Sequence, residues 1–406
     1  MLIDISPLFK YKQYRYLYFG QTISTLGSMI TYVALPYQIY QLTHSSLAVG
    51  LMGTVELAPL LITSFLGGHY ADQLDRRKVL LYSEFGLCLG SITLVLNSLA
   101  AHPSLTLLYC VAAAMSALNG FHRPALESLT PRLVKAEDLH SISALTTLKG
   151  VTGTVVGPAL AGLLLGTIGL SATFMIDALT YGLSILALSQ LKDISVRSEG
   201  NSSPIEGIKE GLRYAWSRPE LLGSYLIDFV AMIFGMPMAL FPAFADNHGG
   251  TKVLGLLYAA PSIGAVMATL ASGWTGKVQR LGAAIAVSAV VWGIGITLFG
   301  SLPNFWAALA FLGLAGIADA FSGMFRMTLW NRTIPDRLRG RMAGLEMLSY
   351  MSGPLLGNAE SGLVAAAFGT QASIVSGGIL CIVGVALCIV LLPAFWKFRA
   401  NFSPES

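Results

Sequence analysis

The chain has 406 residues, of which 54% are hydrophobic and only 11% charged; its mean hydropathy is +0.67 and its pI about 8.8. Soluble domains carry about 25% charged residues, so this composition cannot clothe a water-exposed surface and excludes a soluble globular protein. It fits a chain whose solvent is lipid.

An α-helix crosses the hydrocarbon layer with roughly 20 apolar residues, and windows of that kind predict twelve spans. They cover residues 17–41, 47–70, 79–100, 104–126, 140–166, 171–191, 220–244, 253–275, 281–300, 304–328, 340–366 and 372–395. A closed β-barrel would need strands of about ten residues with alternating polarity, and no such stretch occurs. The first segment is too long for a removed signal peptide and has no small-residue cleavage pattern, so it reads as a retained span.

Lys and Arg in short loops stay on the cytoplasmic side. With the N-terminus inside, 23 of the 25 basic residues fall in inner loops or at inner helix ends; Lys252 lies in an outer loop and Lys149 inside the fifth span. The expected architecture is therefore an all-α membrane protein of twelve transmembrane helices, both termini cytoplasmic. The basic pI follows from this rule, and no nucleic-acid partner is implied.

In chain order, span 2 carries Glu56 near mid-membrane by helical rise. Buried ionisable groups of this kind mark functional candidates. Glu56 is either a carboxyl that binds and releases a proton or one half of a static ion pair with Lys149. The loop after span 2 reads GGHYADQLDRRKVL and sets Gly68, Asp72, Asp75, Arg76, Arg77 and Lys78 at short spacing. A carboxylate here can sit against the positive end of a helix while the basic cluster pairs with acidic groups. Glu84 and Asp177 lie in spans 3 and 6.

Span 5 contains GVTGTVVGPALAG, with Gly150, Gly153, Gly157, Pro158 and Gly162. Small residues three to four apart allow close helix approach, and a proline inside a helix removes one backbone bond and bends it. Lys149, just before this run, is either the partner of Glu56 or the counter-charge for an anionic solute. The longest polar stretch, 192–219, separates six spans from six. Within it Ser203, Pro204 and Glu206 fit an N-cap, first-turn proline and capping-box partner. Ile205, Ile208, Leu212 and Trp216 follow at helical spacing, so a short amphipathic helix on the inner membrane face is expected.

The second half holds Asp228, Asp319 and Glu346 at about 10 Å from the inner face by helical rise. Asp228 is the candidate proton carrier of this half, whereas Asp319 and Glu346 serve either in coupling or in an inner gate with Arg326, Arg339 or Arg341. Tyr32, Tyr258, Trp330 and Tyr350 are candidate cavity aromatics, although aromatics in spans also pack or anchor helices. The six histidines fall at loops or helix ends and do not cluster, and the four cysteines show no metal-ligand spacing. No catalytic constellation, metal site or nucleotide-binding loop is present, so no cofactor is expected and transport would draw on an ion gradient.

The halves echo each other. FHRPALESLTPRLV follows span 4 and FRMTLWNRTIPDRLRGR follows span 10, and the next span in each case contains a Gly-Pro pair, Gly157-Pro158 and Gly353-Pro354. Weak internal symmetry is what a duplicated six-helix transporter leaves in sequence. Together with Gly68, Asp72 and the basic run, these features resemble the major facilitator superfamily along the whole chain. Gln73 and Asp75 depart from its commonest loop pattern, which implies a rewired latch with Asp75 as a second acidic partner. The span-5 glycines resemble the antiporter motif of exporters in that superfamily. LTHSSLAVGL, ADQLDRRKV, LFPAFADN and LGLLYAAPSIGA resemble its siderophore-export and drug-efflux branch.

The resemblance implies two pseudo-symmetric six-helix bundles, 1–191 and 220–406, joined by the linker 192–219, with spans 3, 6, 9 and 12 peripheral, so that Glu84 and Asp177 read as structural groups bonded to neighbouring helices. It also implies a monomer in a bacterial inner membrane that exports a small organic molecule by proton antiport. A siderophore is the expected solute and drug-like molecules the alternative. The rival readings are a non-transporting receptor on the same scaffold and a membrane-embedded enzyme.

Overall fold

The computed structural model describes residues 4–70, 75–192, 204–335 and 338–399. Its helices in chain order are α1 (Ser6–Lys10), α2 (Lys12–Thr43), α3 (Ser46–Tyr70), α4 (Arg76–Leu99), α5 (Leu105–Leu129), α6 (Leu139–Thr167), α7 (Gly169–Ser189) and α8 (Pro204–Ser217). They continue with α9 (Pro219–Phe234), α10 (Phe241–Asp246), α11 (Thr251–Leu270), α12 (Leu281–Ser301), α13 (Phe305–Thr333), α14 (Arg339–Phe368), α15 (Thr370–Leu391) and α16 (Pro393–Trp396). No strand occurs among the described residues.

Each of the twelve expected windows falls on helix, and ten helical segments among the described residues are long and apolar enough to cross a membrane. Although α2 and α14 have 32 and 30 residues, they are not among those ten. In α2 the reason is visible: Gln21, Ser24, Thr31 and Gln38 are all buried against neighbouring helices. Such a helix is polar where it meets protein rather than lipid, which lowers its apolarity without lowering its length.

Helix starts follow capping chemistry, in which a side-chain oxygen satisfies an otherwise orphaned amide. Asp75 accepts from the Arg77 amide at α4, Ser104 from the Leu107 amide at α5, and Asn304 from the Ala307 amide at α13. The turns between α6 and α7 and between α14 and α15 are so short that one residue takes a left-handed conformation. Gly169 (φ +79°) and Gly369 (φ +92°) supply it, at matching places in the two halves.

The seventh window, 220–244, was expected as one helix and is instead broken into α9, a 3-10 turn at Met238–Leu240, and α10. Pro237 has no amide to donate and disfavours helix in the residue before it. Gly235 ends α9 by donating to the Ala231 carbonyl, 2.8 Å away. The eighth window likewise ends early, at Leu270, and passes into a 3-10 segment, Ser272–Lys277.

The chain folds into two compact units: Met1–His44, Thr54–Asn201 and Ala245–Ala259 form the first, and Ser45–Gly53, Ser202–Phe244 and Ala260–Ser406 the second. In the first, α2 and α4 pack on α7, α4 on α5 and α2 on α6. Close approach depends on small residues: a Cβ on Gly27 of α2 would collide with Thr180 and Asp177 of α7. One apolar cluster joins Leu17, Leu80, Ala125, Leu129, Leu188 and Leu191; another joins Leu8, Tyr14, Ile142 and Leu145. In the second unit α12 packs on α13 and α15, and α9 on α14 and α15. Phe299 of α12 is fully buried between Phe241 and Phe244.

Candidate functional site

Unit 1 brings its buried polar groups together around two carboxylates. Glu84 of α4 accepts from Gln21 Nε2 (2.8 Å) and from Ser24 Oγ (3.2 Å), both on α2, and lies 3.1 Å from His122 Nε2 of α5. Asp177 of α7 accepts from Thr31 of α2 and from Ser91 of α4 at 2.7 Å. Tyr181, one turn along α7, shares a 2.8 Å hydrogen bond with Ser28. Every one of these bonds joins different helices, so the structural reading of Glu84 and Asp177 agrees with the geometry. The placement of His122 is corrected. It lies inside α5 and is buried, seven residues before that helix ends, because α5 runs three residues past the expected window.

Glu56 has no such company. It is partly buried on α3, Ser116 donates to its backbone carbonyl at 2.9 Å, and no ion pair to its carboxylate exists among the described residues. Lys149 is partly buried on α6 and is also without an ion pair among them. The static Glu56–Lys149 pair is therefore absent, which removes one of the alternatives held for both residues.

In the loop before α4, Asp72 lies outside the described residues, and at 67–70, which include Gly68, only the helical backbone of α3 is described. Asp75 acts locally as the N-cap of α4, with Lys78 Nζ at 4.0 Å. The guanidinium of Arg77 donates to the Ser189 carbonyl at the end of α7 (2.8 Å), a helix end whose dipole favours a cation. Arg76 is buried. Helix α6 runs unbroken through Pro158. Its Gly153 and Gly157 fit against Thr25 and Met29 of α2, Gly162 against Gly255 and the Thr251 carbonyl of α11, whereas Gly150 faces open space.

Among the described residues of unit 2, Arg326 of α13 and Asp228 of α9 form a buried ion pair. The other guanidinium nitrogen lies 4.0 Å from Asp319, whose side chain is 45% exposed against 9% for Arg326. Next to them Trp330 stacks on Tyr225 with ring centroids 5.2 Å apart and donates to Ser224 Oγ at 2.9 Å. Asp319, Gly323, Arg326 and Trp330 follow helical spacing and form one stripe of α13. A Cβ at Gly323 would meet only the Arg326 side chain. The side chains of Glu346, Arg339 and Arg341 lie outside the described residues. Tyr350 is exposed. Tyr32 and Tyr258 meet edge to face at 5.7 Å, with Tyr258 buried.

A surface cluster that sequence reasoning missed ties the N-terminus down. Lys10 bonds Asp138 (2.7 Å) and Glu137 (3.2 Å), the Tyr11 hydroxyl donates to Asp138 (2.6 Å), and Ser141 donates to Asp4 (2.8 Å). The Lys10 and Tyr11 hydrogen bonds hold the Asp138 carboxyl below the ordinary carboxylate range, and the same contacts push Lys10 up. The partners stand more than 120 residues apart, which no local pattern reveals.

Known proteins are similar along the whole chain. A family described as transmembrane secretion effector, of the major facilitator type, matches residues 4–402. The enterobactin exporter EntS of Citrobacter koseri is 31% identical over 98% of this chain and 96% of its own length. The protein of the same name from Escherichia coli O1:K1 is 30% identical over 96% and 94%. Among solved structures, a POT family transporter in complex with 5-aminolevulinic acid has a TM-score of 0.75 at 12% identity, covering 95% of this chain and 97% of its own. A bacterial homologue of the human lysosomal transporter Spinster, in an inward-facing and unoccupied conformation, has a TM-score of 0.75 at 14% identity, covering 97% and 98%. At such identities the solved structures share the fold alone.

Proposed function

Because the chain belongs to the transmembrane secretion effector family of major facilitator transporters, and is a multi-pass membrane transporter rather than an enzyme, we propose that it exports a small organic solute, a siderophore, by proton antiport. The observation that carries this reading is the end-to-end likeness, about 30% identity, to exporters of enterobactin. The protein then sits in a bacterial inner membrane with twelve spans and both termini in the cytoplasm. It is organised as two six-helix bundles, 1–191 and 220–406, joined by 192–219, and works by alternating access.

Residue roles follow from charge. Asp228 holds Arg326 while both are charged. Antiport requires proton and solute to occupy the pair in turn. Hydrogen-bonding groups of an anionic solute engage the charged Asp228–Arg326 pair, and a proton arriving from outside neutralises Asp228, opens the pair and releases them. Lys149, without an ion pair among the described residues, supplies a second cation for such a solute, and Glu56 a second proton-binding carboxyl. Asp72, with Gly68 and the cluster Asp75 to Lys78, latches the inner face.

A second reading, efflux of cationic drug-like molecules, is favoured by Asp319. This half-exposed carboxylate lies on the same stripe of α13 as Trp330, eleven residues before it, and an elongated ring-bearing cation would suit both. The test compares culture medium from strains with and without the gene, under iron limitation. Loss of a siderophore from the medium of the deletion strain supports the lead reading. Unchanged siderophore with raised sensitivity to cationic dyes moves the assignment to drug efflux.

A further inference from the structure

We propose that Glu84 and His122 form a proton-binding site inside unit 1, separate from Glu56 and from the Arg326–Asp228 pair, whose occupancy fastens α2, α4 and α5 together. Glu84 is 0% exposed, and the groups that touch it, Gln21, Ser24 and His122, come from two other helices. No lysine or arginine pairs with it among the described residues. A buried carboxylate with neutral donors alone leaves its charge uncompensated, which is costly in a low-dielectric interior. Of the three contacts, only His122 can take up a positive charge. One proton bound there turns the contact between a neutral imidazole and a carboxylate into an ion pair across α4 and α5; one proton lost returns a lone buried charge.

Asp177, which accepts from Ser91 seven residues along α4 from Glu84, shows what a structural carboxylate looks like in this fold. It is held by the hydroxyls of Thr31 and Ser91, with no base in hydrogen-bond contact. The remaining groups that face Glu84 are Lys149 from α6, Asp177 and Tyr181 from α7, and Cys88 from α4 itself. Lys149 acts at longer range than a hydrogen bond, and Asp177 adds a like charge, so neither substitutes for a cation at His122. Its 9% exposure, against none for Glu84, makes His122 the point of proton entry. The neighbouring Arg123 is exposed.

The site stands on the packing of unit 1, while its use in a transport cycle rests on the proton-coupled export reading. The decisive experiment follows thermal unfolding of the purified full-length protein in detergent at pH 5.5 and 8.5, for the wild type, His122→Asn and Glu84→Gln. The wild type should unfold at a temperature higher by on the order of a few degrees at the lower pH. Both variants, which keep hydrogen-bonding groups but no charge pair, should lose most of that difference. If His122→Asn does not yield folded protein, Glu84→Gln decides alone. A wild-type pH difference retained by either variant overturns the site. ΔpH-driven extrusion of ethidium from vesicles, measured in parallel, separates the two ideas. Extrusion by the wild type with an unchanged pH difference in the variants sinks the site and leaves export standing; a flattened difference without any pH-gradient-driven extrusion or siderophore release leaves the site standing and sinks export.

Discussion

The two compact units bury acidic groups by opposite means. In unit 1 Glu84 and Asp177 are surrounded by small neutral donors from several helices, so each carboxylate is a hub that ties α2 to α4, α5 and α7. In unit 2 Asp228 meets a full countercharge on Arg326, and the neighbouring Asp319 stays half exposed. A hub of hydroxyls and amides is satisfied in one arrangement and holds helices in place. An ion pair, by contrast, can be opened by a proton or by a competing anion, so the second unit carries the more switchable chemistry.

The sharpest way to break this contrast is to remove one charge from unit 2. Stripping one partner from a buried ion pair leaves an uncompensated charge and costs about 3–5 kcal/mol, whereas replacing both by apolar residues of similar volume is often close to neutral. Arg326→Met should therefore lower the unfolding temperature strongly, and Arg326→Met combined with Asp228→Leu should recover most of the loss. Fluorescence-detected size exclusion after a heating series measures both. A double variant as unstable as the single one would mean that the pair holds the helices as Glu84 does, and the contrast between the units would fall.

Much of this architecture was legible in sequence, for reasons that differ by element. Apolar length placed all twelve windows because nothing in a bilayer competes with a continuous helix for backbone hydrogen bonds. The break in the seventh window was not anticipated. Its cause, Gly235 followed by Pro237, is in the sequence, but hydropathy averages over it. Acidic residues stood out as candidates from their rarity, yet their partners did not, because partners come from distant helices. Arg326 was read with Asp319 and Glu346 on grounds of depth, and although it lies 4.0 Å from Asp319 its closer partner is Asp228, 98 positions earlier in the chain. Glu56 and Lys149 suggested a pair because both sit near mid-membrane, but equal depth does not place two residues on facing helix surfaces.

Glu56 offers a smaller and more selective test, because its carboxylate makes no ion pair among the described residues. Glu56→Gln should change the unfolding temperature by little, since no partner is orphaned. Under the export reading it should at the same time weaken the dependence of efflux on the pH gradient. Vesicle efflux recorded with and without an imposed gradient separates these effects. Full gradient dependence in Glu56→Gln would take coupling away from Glu56 and leave it to the Arg326–Asp228 pair of unit 2 or the Glu84–His122 site of unit 1.

The smallest expected effect lies at the surface of unit 1, where Lys10 and Tyr11 hold Asp138. Exposed pairs of this kind contribute little to stability, so Lys10→Ala should lower the unfolding temperature only slightly at pH 7. Its pH dependence is nevertheless diagnostic. The Asp138 carboxyl is held below its ordinary range by the Lys10 hydrogen bond and then by that of Tyr11. Its contribution is therefore complete above the ordinary carboxylate range and disappears as acid carries the pH down through the lowered value. Lys10, pushed up by the same contacts, keeps its charge across the whole neutral range and loses it only in strong alkali. The gap between wild type and Lys10→Ala should accordingly stay constant from about pH 6 to 9 and close on acidification below the usual aspartate value of about 3.9. A gap that changes between pH 6 and 8 would point to the histidine within the bundle rather than to this clasp, and would tie the surface of unit 1 to its interior.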